Sequence, residues 1–209
     1  LVALVSSALV ATFAVAAPSA ARAADLTCTT ASTKVETCTG VDDNGAKFEI
    51  RMPSNFNGTL YVYSHGIRYN VNLPAIPVVA PAGALVNKAP EVAPTEIVAT
   101  ALLKQGYALA GSGATTQGWN LEEGVDGALQ VLQIAKTKYS KVSKVVAWGN
   151  SLGGLTAQAF AEQYSGAVDA VAPMCLAESA QAEITMAGDF LWGMKTFFNP
   201  AIKGSGYSA

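Results

Sequence analysis

Lys144-Val145-Val146-Ala147-Trp148-Gly149-Asn150-Ser151-Leu152-Gly153 joins a short β-branched apolar run to a helix-forming one. The first five residues read as a buried parallel strand. From Gly153 to Tyr164, Leu155, Phe160 and Tyr164 recur at helical spacings among Ala and Gln. Strand, sharp turn of small residues and helix form the setting in which a serine hydroxyl is held above the edge of a sheet. Gly149 and Gly153, two residues either side of Ser151, leave room for a strained backbone and for close strand–helix packing. A glycine-rich turn carrying an incidental serine is the plainer alternative.

Outward from this point, short apolar segments alternate with helical ones. Thr95 to Gln105 reads as a helix with Thr95 as N-cap and Gly106 as its stop. Tyr107-Ala108-Leu109-Ala110 is a buried strand, and Leu121 to about Tyr139 a helix with Val125, Leu129, Leu132 and Ile134 on one face. A further apolar strand runs from Val168 to Met174. The alternation predicts parallel βα units with helices on both sheet faces. Upstream the pattern is antiparallel. Asp42-Asp43-Asn44-Gly45 and Asn57-Gly58 read as hairpin turns around strands at Lys47–Met52 and Thr59–Tyr63. Between them and the first helix, Ile67 to Pro94 holds Pro74, Pro77, Pro81, Pro90 and Pro94, and such a long structureless connection is often functional.

Composition bounds the partners. The chain has 209 residues, is 51% hydrophobic and 13% charged, and carries a net charge of −2, with no basic run to attract nucleic acid or an anionic membrane. Leu1 to Ala17 followed by Ala21-Arg22-Ala23 reads as a secretory signal peptide over residues 1–23, too short for a stable membrane anchor. Export agrees with three cysteines. Cys28 and Cys38 lie close enough for a disulfide in an oxidising compartment, and Cys175 is left over, read as structural, either free and buried behind an inner strand or paired with a cysteine that this chain does not include. No spacing suggests a metal site, and no motif a nucleotide or other cofactor.

The segment from Lys47 to Met174 resembles the α/β-hydrolase superfamily. The resemblance is carried by Gly149-Asn150-Ser151-Leu152-Gly153, by Ser64-His65-Gly66 at the end of an earlier strand, and by the order hairpin, strand, helix, strand, helix, strand, elbow. Gln105-Gly106-Tyr107-Ala108-Leu109-Ala110-Gly111-Ser112 with Gly118-Trp119 is similar to secreted bacterial esterases of that fold. The resemblance implies a mostly parallel sheet with an N-terminal antiparallel hairpin. It implies Ser151 as an acyl-accepting nucleophile, with the oxyanion held by the N–H groups of Leu152 and Ile67 and that loop shaped by His65 and Gly66. Trp119 and Asn120, after a strand's C-terminal end, become candidate substrate contacts. The Pro-rich Asn70–Pro94 loop and Phe190–Phe198 become candidate pocket walls, with Trp192 and Phe197 expected in the core. Glu122, Glu123 and Asp126 open a helix, where acids suit the dipole.

A serine needs a base, and the chain contains one histidine. In the family the base follows the nucleophile, whereas His65 precedes it, so His65 is read as supporting the oxyanion loop. Asp189 is read as a solvated or capping residue. The expectation is therefore a hydrolase domain over residues 24–209, C-terminally incomplete before its acid and base, with 175–209 the start of a cap or insertion and an uncovered sheet edge. A secreted ester hydrolase is the leading function; a peptidase of the same fold and a non-catalytic extracellular binding module are the alternatives.

Overall fold

The computed structural model describes residues 26–72, 85–176 and 179–202. The signal segment at 1–23 and Pro74, Pro77 and Pro81 lie outside the described residues. Seven strands, β1 (Thr27–Thr30), β2 (Val35–Val41), β3 (Lys47–Pro53), β4 (Thr59–Ser64), β5 (Ala108–Ser112), β6 (Lys144–Asn150) and β7 (Ala170–Met174), form one sheet in the order β1-β2-β3-β5-β4-β6-β7. Pairing is antiparallel from β1 to β5 and parallel from β5 to β7. Strands β2, β4, β5, β6 and β7 thus point one way, so the sheet is mostly parallel, as expected.

Helices α1 (Glu96–Lys104), α2 (Leu121–Lys138) and α3 (Leu152–Gln163) cover the two faces unequally. The period-2 alternation of each strand sorts its side chains. Leu60, Val62, Val145 and Ala147 pack under Val125, Leu129, Leu132, Ala157 and Phe160 of α2 and α3. Tyr63, Leu109 and Trp148 face the other way, against Ala99 and Leu103 of α1 and against Val92 and Ala93. Burying a side chain such as Leu132 or Phe160 contributes roughly 1.5–3 kcal/mol, so the α2–α3 face holds most of the stabilising core. Tyr61 and Tyr63 meet Trp148 edge-on at 5.6 and 5.1 Å between ring centroids, the arrangement that aromatic quadrupoles favour.

The chain ends of α1 follow its sequence. Thr95 Oγ1 accepts the Val98 N–H at 3.3 Å, and Gly106 follows the helix at φ 87°, where an added Cβ would meet the Asn55 carbonyl at 2.6 Å. The β4-α1-β5 connection leaves β4 towards one side of the sheet and the β6-α3-β7 connection leaves β6 towards the other. The direction of winding therefore switches between β4 and β6, and the crevice at the C-terminal ends of these two strands is where open α/β sheets take ligands.

Four expectations need correction. Asn57-Gly58 makes no hairpin, because β5 is inserted between β3 and β4; Asn57 Oδ1 instead accepts the Thr59 N–H at 3.0 Å and the Gly58 carbonyl receives Ser143 and Lys144. Cys175 is exposed, since it sits past the end of β7 in the loop leading to the next helix. That helix, α4 (Ala180–Phe197), occupies the segment expected only as the start of a cap or insertion; Ser179 caps it by accepting the Ala182 N–H at 3.2 Å. Trp192 and Phe197 are not core residues but 63% and 75% exposed, because no other described element packs along α4. They touch each other, with ring centroids 6.0 Å apart. Among the described residues no helix is long and apolar enough to cross a membrane.

Cys28 and Cys38 are directly opposite in the β1–β2 ladder and form a disulfide. It pins an edge strand of four residues whose own side chains are mostly exposed. The ten-residue separation between the two cysteines predicts about 3 kcal/mol of stabilisation through the unfolded chain. The double variant Cys28→Ser/Cys38→Ser should therefore unfold at lower denaturant than the wild type, and a reducing agent should shift the wild-type curve but leave the variant's where it is.

Candidate active site

The turn between β6 and α3 places Ser151 at φ 55° and ψ −124°, a left-sided conformation costly for a non-glycine residue, on the order of 1–3 kcal/mol. The surroundings hold it there. Its N–H donates to the Met174 carbonyl at the end of β7 (3.0 Å), and its carbonyl accepts from Gly154 (2.9 Å) and Leu155 (3.2 Å). Ala114 (φ 56°) and Cys175 (φ 47°) share the positive φ just past the ends of β5 and β7, so three strained residues gather at one edge of the sheet. Ser151 is exposed there, and its side chain is not spent capping α3.

The elbow is possible only because its glycines lack side chains. A Cβ at Gly153 would lie 2.0 Å from the Ser64 carbonyl oxygen, and one at Gly149 would lie 2.3 Å from that of Gly153 and 2.5 Å from that of Ser64. Backbone thus packs directly on backbone where β6, α3 and the end of β4 meet. The same contact brings the two halves of the candidate site together. A Cβ at Gly66 would be 3.6 Å from the Ser151 Cβ. Tyr63 donates its hydroxyl to Asn150 Oδ1, and burial pushes that phenol up to about 12, so it keeps its proton at neutral pH.

The two backbone N–H groups expected to serve Ser151 are those of Leu152 and Ile67. The N–H of Leu152 belongs to the first turn of α3, where a helix offers no internal acceptor and its dipole is positive. No acidic side chain in that turn offsets it. Leu152's side chain is buried, whereas Ile67 is 56% exposed on the loop after β4. His65 acts on the Ile67 donor through the peptide they share with Gly66. His65 Nδ1 is 2.7 Å from the Gly66 carbonyl oxygen, an acceptor only, so Nδ1 carries the proton and donates. In a trans peptide the carbonyl and the next N–H point in opposite directions. Holding the Gly66 carbonyl therefore fixes where the Ile67 N–H points.

His65 is thereby engaged with its own loop, and its ring lines a cavity of about 20 Å³ beside Ser112, Asn120 and Glu123, not Ser151. Burial pushes its pKa below the ordinary 6.5, and Arg68 adds to this against the Gly66 hydrogen bond, leaving a neutral ring. Burial opposes ionisation of Glu123, but hydrogen bonds from Thr115 and Thr116 outweigh it and hold the carboxyl below its usual range. Glu123 so fixes the loop after β5, a role that its place in the first turn of α2 only half revealed. Trp119 is 40% exposed in an open cleft of about 910 Å³ with Glu122, Asp126 and Tyr164, which Asn120 also borders; Ser151 does not line it. Asp189 lies exposed within α4. Cys28, Glu36 and Cys38 cluster closely enough for a metal, but both sulfurs are used in the disulfide.

Two outcomes follow. Gly153→Ala should lose at least 1–3 kcal/mol of stability, as overpacking against immovable backbone does, read as a lowered denaturation midpoint. Because His65 is depressed in the folded state, its contribution to stability is complete above the unfolded value of 6.5 and is lost as pH falls through the folded value. His65→Gln should retain a donor to Gly66, and the Tm difference between wild type and variant should be flat above about pH 7 and change below it.

No protein-family model matches the sequence, and no curated protein sequence does. Solved structures do match. Esterase Pf2001 from Pyrococcus furiosus is 12% identical with a TM-score of 0.50, over 81% of this chain and 59% of that one. Acetyl xylan esterase 1 from Thermoanaerobacterium sp. is 14% identical with a TM-score of 0.47, over 86% of this chain and 63% of that one. The rice cell wall degrading esterase LipA from Xanthomonas oryzae is 16% identical with a TM-score of 0.44, over 69% and 43%. The matched part of this chain thus spans between two fifths and two thirds of the length of these three proteins. At such identity the likeness to Pf2001 speaks for architecture alone, and together with the strand order and the β6–α3 elbow it gives this chain the α/β-hydrolase fold.

Proposed function

We propose that this protein is a secreted serine hydrolase that cleaves carboxylic esters through an acyl-enzyme on Ser151. The observation that carries the reading is the strained, exposed Ser151 at φ 55°, with a free helix N-terminus on one side and the Gly66–Ile67 loop packed against it on the other. The hydroxyl oxygen attacks the ester carbonyl carbon, and its proton passes to a base. The tetrahedral oxyanion is held by the Leu152 and Ile67 N–H groups, and the alcohol leaves with a proton as the acyl-serine forms. Water then repeats the sequence to release the acid. One such backbone donor contributes about 2.7–4 kcal/mol to the transition state.

In this reading His65 is not the base: its Nδ1–H donates to the Gly66 carbonyl, and the residue lines the small cavity with Ser112, Asn120 and Glu123, which Ser151 does not border. Trp119 and Asn120 form the outer rim of the substrate path, supported by the 2.9 Å hydrogen bond that ties Gly118 to the Arg68 carbonyl beside the oxyanion loop. Exposed α4, which leaves from the strand-end edge that carries Ser151, is the proposed start of a cap. The disulfide supports export.

The test is labelling with a fluorophosphonate on the protein expressed from its complete reading frame, beside Ser151→Ala. Labelling and ester turnover should be present in the first and absent in the second. A folded wild type that neither labels nor turns over aryl esters would favour the non-catalytic binding module instead.

A further inference from the structure

The loop that carries Ile67 is held by a charge pair that the elbow motif does not include. Arg68 is only 10% exposed at its side chain, and its guanidinium fork closes on three groups of a segment some twenty residues further on. Nη1 donates to the carbonyls of Asn87 (3.1 Å) and Ala89 (2.8 Å), and Nη2 lies 2.7 Å from Glu91 Oε1. The main chain of Arg68 is tied as well, its carbonyl accepting the Gly118 N–H at 2.9 Å. The receiving segment is itself seated on the sheet. A Cβ at Gly111 would strike the Glu91 carbonyl oxygen at 1.9 Å, and one at Gly113 the Lys88 carbonyl oxygen at 2.3 Å. Asn72 Oδ1 accepts the Val86 N–H at 2.8 Å, a second tie across the same excursion of the chain.

We propose that Arg68 is a positioning residue, which with Glu91 clamps the oxyanion loop to the end of β5 and so sets the Ile67 N–H against Ser151. The proposal rests on the hydrolase reading above. Its physical basis is that the guanidinium donates from Nη1 to two carbonyls while Nη2 sets its charge against the Glu91 carboxylate; a lysine ammonium has the charge without that spread of groups. Removing the guanidinium leaves two carbonyls without their donor and the Glu91 carboxylate without its counter-charge, and frees the loop to shift. A misplacement of about 1 Å at a reacting centre can cost on the order of 100-fold in rate. The donor acts on the oxyanion and not on the ground-state ester, so the loss should fall on kcat and leave KM in place.

The experiment compares wild type, Arg68→Gln, Arg68→Lys, Glu91→Gln and Ser151→Ala of the complete protein. It uses an aryl ester for kinetics, a phenylboronic acid as tetrahedral analogue, and amide hydrogen exchange for the loop. Arg68→Gln should lose roughly 30- to 100-fold in kcat with KM within about twofold. Its boronate inhibition constant should rise in parallel, and exchange should quicken at residues 65–70 while β4 and β6 stay protected. Arg68→Lys should recover part of the rate, and Glu91→Gln should lose less than Arg68→Gln. Unchanged kcat and unchanged exchange in Arg68→Gln would overturn the proposal, as would a rise in KM alone. So would quickened exchange with kcat intact. Absence of Ser151-dependent turnover in the wild type overturns the hydrolase reading and, with it, the catalytic half of the proposal; the exchange result still decides the clamp.

Discussion

Everything at the strand-end edge depends on one contact, the approach of the Gly149–Gly153 backbone to the carbonyls of Ser64 and His65. With Cβ positions at Gly149 and Gly153 falling 2.0–2.6 Å from backbone atoms, no side chain of any kind fits. That exclusion lets β6 turn into α3 without an intervening loop, and it keeps the turn beside β4. Strain at Ser151 is then maintained by packing that cannot relax, since interiors at crystal-like density transmit displacement instead of absorbing it. The hydrogen bond from Ser151 N–H to Met174 closes the arrangement from the β7 side.

Around this contact the polar groups are arranged to stay uncharged or paired. Tyr63 keeps its proton, His65 is neutral, and Arg68 is matched by Glu91. Fixed, unpaired charge here would otherwise be costly to bury. What remains beside Ser151 is backbone N–H and the start of α3, dipoles that need no counter-ion. Buried Asp42 belongs to a different part of the fold: burial raises its pKa, while the N–H groups of Asn44 and Ala46 oppose the shift and tighten the β2–β3 turn.

The local parts of this architecture were legible in the sequence, and the non-local parts were not. Val145 and Val146, the glycines about Ser151 and the Thr95 cap each carry their conformation in their own chemistry, so β6, the elbow and α1 could be read residue by residue. Asn57-Gly58 is an equally good local signal, yet it misled, because strand pairing is settled by β5 entering between β3 and β4 from some fifty residues away. Trp192, Phe197 and Cys175 misled for a related reason. Their residue types favour burial, but burial depends on what packs above them, which no local pattern states. The direction of His65 Nδ1 and the pairing of Arg68 with Glu91 lie in loops without a period, where sequence offers the partners but not the match.

The two margins of the described sheet are built on opposite terms. On one side β1 is a short run of threonines and a cysteine, cross-linked to its neighbour and clothed in hydroxyls. On the other, Ala170, Val171 and Ala172 of β7 lie exposed, with small apolar side chains and an outer row of peptide groups that no described strand meets. Such a margin is a template for another extended segment, and charge, proline or a bulge is the usual deterrent; here the single proline, Pro173, stands near its end. Of the two margins, the one at β7 is the less protected, and it lies next to Cys175 and one strand from Ser151.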